Sequence, residues 1–209
     1  MAFVYNRLAG QDVGRIAALS DGIFAVAMTL LVLEIHLPEP SDIHSEAELW
    51  ASLVVLAPRL VTWLMSMMTL GIFWLGQQTQ LNQLERADRN LSWLHFVFLA
   101  VITLTPFSTR LLATFFTYRV AFFLYWSNIL LAGLALLACW LYTERAKLVR
   151  AEAPPDIRGA IRRRIVYAQG LYAFGAALGF LHVGLGVAFI ILVQLNYVIA
   201  PKLPILYKL

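Results

Sequence analysis

The sequence has 209 residues, of which 61% are hydrophobic and 13% charged, and its formal net charge is +4. Soluble domains carry roughly 25% charged residues, and a soluble fold of this length could not hide so much apolar surface. The composition therefore excludes a soluble fold. It predicts an all-α integral membrane protein, because a helix satisfies its own backbone hydrogen bonds in lipid.

Hydropathy predicts six spans, since about 20 apolar residues are needed to cross about 30 Å of hydrocarbon. Pro58 lies in the long second span and predicts a kink or an extension beyond the lipid. His182 and Gly184 mark a tight turn between the last two spans. Residues 1–209 are thus predicted to form a single six-helix transmembrane domain with spans at about 15–37, 49–80, 90–113, 118–144, 160–181 and 184–202.

Charge predicts the orientation of these spans. Six spans place both termini, the 81–89 loop and the 145–164 segment on one side, together with most of the 16 Lys and Arg residues. Positive residues favour the cytoplasmic side, so both termini are predicted to be cytoplasmic in a multi-pass protein of the cell (plasma or inner) membrane. The opposite side carries only Arg59, Arg110 and Arg119.

The run of Arg162, Arg163 and Arg164 beside the fifth span favours anionic lipid headgroups as partners. We do not expect nucleic acid to bind there.

The first span, from Arg15 to Glu34, reads RIAALSDGIFAVAMTLLVLE. At about 100° per residue, Val26, Leu30 and Leu33 fall on one apolar stripe with Leu19 and Ile23. A flank of small residues lies beside this stripe: Ala18, Gly22, Ala25 and Thr29. Asp21 points away from the stripe. An ionisable residue inside a span is a candidate functional residue by default.

Two interpretations of this helix remain open on periodicity alone. In the first, the stripe packs inside the subunit and Asp21 is a satisfied internal residue. In the second, copies of the helix surround a shared axis, and the stripe forms hydrophobic rings that gate a pore. A pore-facing Leu and a core-facing Leu give the same pattern.

Three segments resemble the transmembrane protein 175 family of potassium channels, in its bacterial branch with one six-helix repeat per chain. Arg15–Asp21 resembles the R-x-x-x-F-S-D signature, with Leu19 replacing Phe. Trp74 to Leu81 resembles W-x-x-H-H-x-x-F, with Gln77 and Gln78 at the His positions and Leu81 at the Phe position. Leu104–Thr109 resembles L-x-P-F-S-T. The two Gln put in doubt any pH or metal sensitivity that depends on the His pair.

The resemblance implies a homotetramer whose four first helices line a central potassium pathway. Counted from Asp21, the implied selectivity positions are Val26, Thr29, Leu30 and Leu33, of which three coincide with the apolar stripe. Val26 is smaller than the Ile or Leu often found there, so its ring is expected to be wider. No cofactor and no metal beyond permeating K⁺ is implied.

The signature residues Arg15, Ser20 and Asp21 are interpreted as a structural network. Arg15 and Asp21 lie about 120° apart on the helix, so their partners must come from other helices. Buried polar groups need such partners in lipid. The candidate partners are Gln77, Gln78, Asn82, Asn90, Trp93 and His95.

The sequence leaves two alternatives to a passive potassium channel. The first is a secondary transporter or proton-coupled carrier with Asp21 as the proton site; broken helices would favour it, but the first span shows no break in its apolar pattern. The second is an intramembrane enzyme. It lacks support because Asp21 has no second intramembrane Asp and Ser20 has no His in sequence reach.

Overall fold

The computed structural model describes residues 10–35 and 43–199, and these residues form helices with no β-strand. The helices are α1 (Val13–Val32), α2 (Glu46–Val55), α3 (Ala57–Leu81), α4 (Arg89–Thr103), α5 (Thr105–Thr114), α6 (Arg119–Arg145), α7 (Ile157–Leu181) and α8 (Val183–Ile199). The predicted all-α class is confirmed.

Two of the predicted spans are divided at proline. The second span breaks at Leu56, and Pro58 lies in the first turn of α3, where its missing N–H would have no helical partner anyway. The third predicted span, 90–113, corresponds to the helical stretch Arg89–Thr114. It divides at Leu104 into α4 and α5, with Pro106 in the first turn of α5. Hydropathy does not report this break because both halves are apolar.

Four helical stretches in the described part of the chain are long and apolar enough to cross a membrane: Val13–Val32, Ala57–Leu81, Arg89–Thr114 and Arg119–Arg145. These stretches support a multi-pass membrane protein. The predicted count of six spans is not confirmed, because α7 carries three consecutive arginines and α8 has only 17 residues. Residues 200–202 of the predicted last span, and both termini, lie outside the described residues.

The core lies around α6, whose Phe122, Tyr125 and Trp140 are fully buried. A buried chain of neutral polar groups crosses this core between helices. The hydroxyl of Tyr125 lies 3.1 Å from Ser66 Oγ and 3.2 Å from Thr69 Oγ1. The Gln194 amide of α8 donates to Thr69 Oγ1 at 2.6 Å. Hydrogen bonds of this kind hold apolar helices together in lipid, where the hydrophobic effect between helices is absent.

The α7–α8 hairpin packs closely because glycine lies at its contact. A Cβ at Gly186 would be 2.9 Å from the Gly175 carbonyl oxygen and 2.6 Å from Phe122 Cζ. The predicted turn between these helices is confirmed: His182 is extended, and its Nδ1 lies 3.1 Å from the Gly184 N–H, which donates to it. Small residues therefore set the distance between α7 and α8.

Gly186→Ala is expected to destabilise the subunit by about 1–3 kcal/mol, because the methyl group must push apart two packed backbones. Thermal unfolding in detergent measures the change. Gly170→Ala is the matched control, since no atom lies within 4 Å of its added Cβ, and there alanine should be neutral or stabilising by up to about 1 kcal/mol. Equal melting temperatures for both variants would contradict the close packing.

Candidate functional site: the exposed face of α1 and its anchors

Helix α1 begins at Val13 because Asp12 caps it. The Asp12 carboxylate accepts from the N–H groups of Gly14 at 2.7 Å and Arg15 at 3.3 Å, which satisfies donors that a helix start leaves free. The helix then continues without interruption to Val32. An unbroken helix of 20 residues is long enough to cross the hydrocarbon of a bilayer.

One face of α1 is buried in the subunit and the opposite face is open. Phe24, Ala27 and Leu31 are buried against the bundle, and the Phe24 ring lies 6.1 Å from that of Phe98 in α4. The predicted pathway residues are all exposed. Val26 is 58% exposed, Leu30 43% and Leu33 66%. Within one subunit the stripe therefore does not serve as core, so the core-packing interpretation of these residues is wrong.

Thr29 shares this exposed face, and its side chain is held by its own helix. The Thr29 hydroxyl donates to the carbonyl oxygen of Val26 at 2.8 Å. Because the hydroxyl hydrogen points to the backbone, the lone pairs of the oxygen are free to meet a cation. Thr29 is thus the one polar acceptor among the four predicted pathway positions.

Ser20 is fully buried, and the structure brings it against one of its candidate partners. Its hydroxyl donates to the Ile16 carbonyl at 2.7 Å and accepts from Gln77 Nε2 at 2.7 Å. Gln77 is also fully buried. The pair is a neutral cross-link between α1 and α3 and contains no ionisable group.

Asp21 is anchored to the same helix, α3. Its Oδ1 accepts from Gln78 Nε2 at 2.9 Å and from Trp74 Nε1 at 2.7 Å. Gln78 was among the predicted partners. Trp74 was not, although it precedes Gln78 by four residues and therefore lies on the same face of α3. This i, i+4 spacing could have identified Trp74 as a partner from the sequence.

Four of the predicted partners make no described hydrogen bond with Ser20 or Asp21. Asn90 is exposed at the start of α4 and lies beside Tyr142. Trp93 and His95 line a cavity of about 890 Å³ between α1 and α4, together with Arg15. Trp93 and His95 therefore lie beside Arg15, and the described hydrogen bonds of Asp21 go to α3 instead. Asn82, the remaining candidate, is exposed after the end of α3.

The cavity holds polar atoms without partners. His95 is 2% exposed; its Nδ1 lies 3.1 Å from the Leu91 carbonyl, and its buried Nε2 has no hydrogen bond. In the described part of the chain, the ion pair that forms joins Glu34 and Arg110. The Arg15 guanidinium therefore has no ion-pair partner among the described residues. As predicted from their positions on the helix, Arg15 and Asp21 do not meet within one subunit.

At the far end of α1, Glu34 forms that ion pair with Arg110 of α5 at 3.4 Å. Arg59 of α3 lines the same cavity of about 310 Å³. The pair connects the end of the exposed stripe to the rest of the bundle. In the described ranges, no three His, Cys, Asp or Glu side chains lie close enough to hold a metal ion.

Comparison with known proteins gives a consistent result. A family described as endosomal/lysosomal potassium channel TMEM175 matches residues 15–106, which include α1, its anchors on α3 and the cavity with α4. A potassium channel of Chamaesiphon minutus is 31% identical over 187 residues, covering 87% of this chain and 92% of its own length. One from Streptomyces collinus is 30% identical over 176 residues, covering 81% and 82%.

The fold is also similar to a solved structure. The crystal structure of a lysosomal potassium-selective channel TMEM175 homologue from Chamaesiphon minutus superposes with a TM-score of 0.77 at 28% identity, covering 91% of this chain and 98% of that chain. A human protein described as the endosomal/lysosomal proton channel TMEM175 is 28% identical over 106 residues, which span 48% of this chain and 21% of the human protein.

Proposed function

The chain belongs to the TMEM175 family of ion channels, and on that premise we propose that it is a potassium channel rather than an enzyme. In this proposal four copies form a homotetramer in the cell membrane. Their α1 helices surround a central pore that conducts potassium passively and selectively over sodium.

The observation that carries the proposal is the exposure of the apolar stripe on an unbroken helix. The subunit leaves Val26, Leu30 and Leu33 exposed. These are the positions that the resemblance assigns to the ion pathway, and their exposure supports a pore lined by them. Rings of such residues constrict a pore, and they gate it by dewetting. Thr29 supplies a hydroxyl oxygen between the Val26 and Leu30 rings, where a cation sheds part of its hydration.

The carrier alternative rests on Asp21, and the contacts of Asp21 favour an anchoring role instead. Two N–H donors from α3 hold one carboxylate oxygen, so the carboxylate links α1 to α3. Helix α1 is also continuous, whereas carriers place their coupling sites at broken helices.

A test uses purified protein in sealed liposomes with potassium inside and a large impermeant organic cation outside. A protonophore lets protons enter to balance the charge of the cation that leaves, so proton entry reports the cation flux. Proton entry is expected with potassium inside and should be much smaller when sodium replaces potassium inside. Protein-free liposomes are the control. Potassium movement that requires an imposed proton gradient would support the carrier. Proton entry without the protonophore would support a proton channel, which is the activity named for the human relative.

A further inference from the structure

Helix α2 is well formed, yet its own subunit covers almost none of it. The Glu48 N–H donates to Ser45 Oγ at 3.2 Å, and the Glu48 carboxylate accepts from the His44 N–H at 2.7 Å, so the start of the helix is capped. None of the 10 residues of α2 is buried. A helix of this length is marginal in water by itself, so a surface outside the subunit is needed to stabilise it.

The large apolar side chains of α2 lie mainly on one side of the helix. At about 100° per residue, four of them fall within an arc of about 140°, and all four are exposed: Leu49, Trp50, Leu53 and Val54. We call these four residues the apolar side of α2. Ser52, on the other side, is half-buried, so the apolar side faces away from its own subunit. Val55, also exposed, lies outside the arc at the end of the helix.

The depth of α2 follows from the charged residues near it. Arg59 lines one cavity together with Glu34 and Arg110, which places three charged side chains at one level, where α1 ends. Long charged side chains at the ends of spans reach the polar boundary of the bilayer. From Arg59, about 20 residues are enough to cross about 30 Å of hydrocarbon, and α3 continues to Leu81. Helix α3 therefore crosses the bilayer without α2, which is left at the membrane surface.

We propose that the apolar side of α2 lies in the interface of the bilayer, against the headgroups and the first part of the acyl chains of zwitterionic phospholipid. Tryptophan is enriched at this depth, and Trp50 is 70% exposed. Residues 43–58 contain no Lys or Arg, so burial of apolar surface holds the helix there, without attraction to anionic lipid. An interfacial α2 fixes the depth of α3, whose Gln77 and Gln78 hold α1.

Continuity with α3 favours lipid over a soluble partner or a second copy as the occupant. Leu60 and Leu64 follow Leu53 by seven and eleven residues, so they lie on the same side of the helix, and both are exposed within a stretch long enough to span the membrane. One apolar surface thus continues from the span to α2. The break at Leu56, with Pro58 in the next turn, lets α2 bend away from the axis of α3.

Fluorescence quenching tests the position of α2. Leu53→Cys is made in a Cys139→Ala background that removes the buried native thiol, labelled with nitrobenzoxadiazole and reconstituted in phosphatidylcholine vesicles. Bromines on the acyl chains near the headgroup should quench the label several-fold more strongly than bromines near the methyl end. Iodide in the water should quench it weakly. Adding phosphatidylglycerol should change none of these values.

Ala51→Cys is the matched control, since Ala51 is exposed on the opposite side of α2. Its label should be quenched by iodide several-fold more strongly than the label at Leu53, and only weakly by the brominated lipids. If the labelled Leu53→Cys protein loses the native melting temperature, Val54→Cys on the same apolar side, 59% exposed, replaces it as the reporter.

Three results would overturn the proposal. Equal quenching by iodide at both positions places the apolar side in water. Protection of the Leu53 label from iodide and from both brominated lipids means that protein covers this side, as a second copy or a soluble partner would. Quenching by lipid that appears only with phosphatidylglycerol means that charge rather than apolar surface attracts the helix. None of these readings involves potassium flux, so they stand apart from the proposed function.

Discussion

Replacing Asp21 with alanine is expected to abolish potassium flux and to lower the melting temperature of the subunit. The change removes the common acceptor of Trp74 Nε1 and Gln78 Nε2, which bond to Asp21 at 2.7 and 2.9 Å. A hydrogen bond of this kind contributes about 0.5–1.5 kcal/mol to stability. The α1 helix would then lose its attachment to α3 one turn below the pathway residues, and the apolar stripe would lose its fixed direction.

Asp21→Asn is the matched control, because its amide oxygen can accept the same two hydrogen bonds while the charge is removed. The asparagine variant should keep the melting temperature of the native subunit.

Thermal unfolding in detergent and liposome flux together measure these effects. An Asp21→Ala protein that melts and conducts like the native chain would show that Asp21 is not an anchor. If Asn is as damaging to stability as Ala, charge rather than hydrogen bonding holds α1 in place.

The contacts of Ser20 and Asp21 show which parts of the site could be predicted from the sequence alone. Ser20 and Asp21 stand out in an apolar helix, and the need for polar partners in lipid correctly directs attention to Gln77 and Gln78 on α3. Trp74 was overlooked because its indole counts as an apolar or interfacial residue in a hydropathy profile. Only the i, i+4 spacing to Gln78 indicates that both side chains reach the same carboxylate.

Other features could not be predicted from the pattern. Val26 and Ala27 are adjacent in an apolar run, yet Val26 is 58% exposed and Ala27 3%. Which face of the helix becomes buried depends on the helices that pack against it. The same reason explains why His95 faces the cavity with Arg15 rather than Asp21. The break at Leu104 escapes hydropathy because it comes from the missing N–H of Pro106 and leaves the polarity unchanged.

A cysteine placed at Val26 or at Leu30 is expected to react with a water-soluble cationic thiol reagent, and the reaction should block most of the potassium flux. Both side chains are exposed on the face of α1 that is proposed to surround the pore. A fixed positive charge at the constriction repels cations strongly, since two unit charges 4 Å apart interact by about 4 kcal/mol at an effective dielectric constant of 20.

Ala27→Cys is the matched control for both variants, and all three are made in a Cys139→Ala background that removes the buried native thiol. Ala27 follows Val26 directly but is buried against the subunit core, so its thiol should remain unreactive and flux unchanged. The reaction rate is followed by the decline of flux in liposomes after reagent is added on each side. If thiols at 26 and 30 stay unreactive while the channel conducts, the exposed stripe faces lipid or another subunit, and the ion path must follow a different surface of the protein.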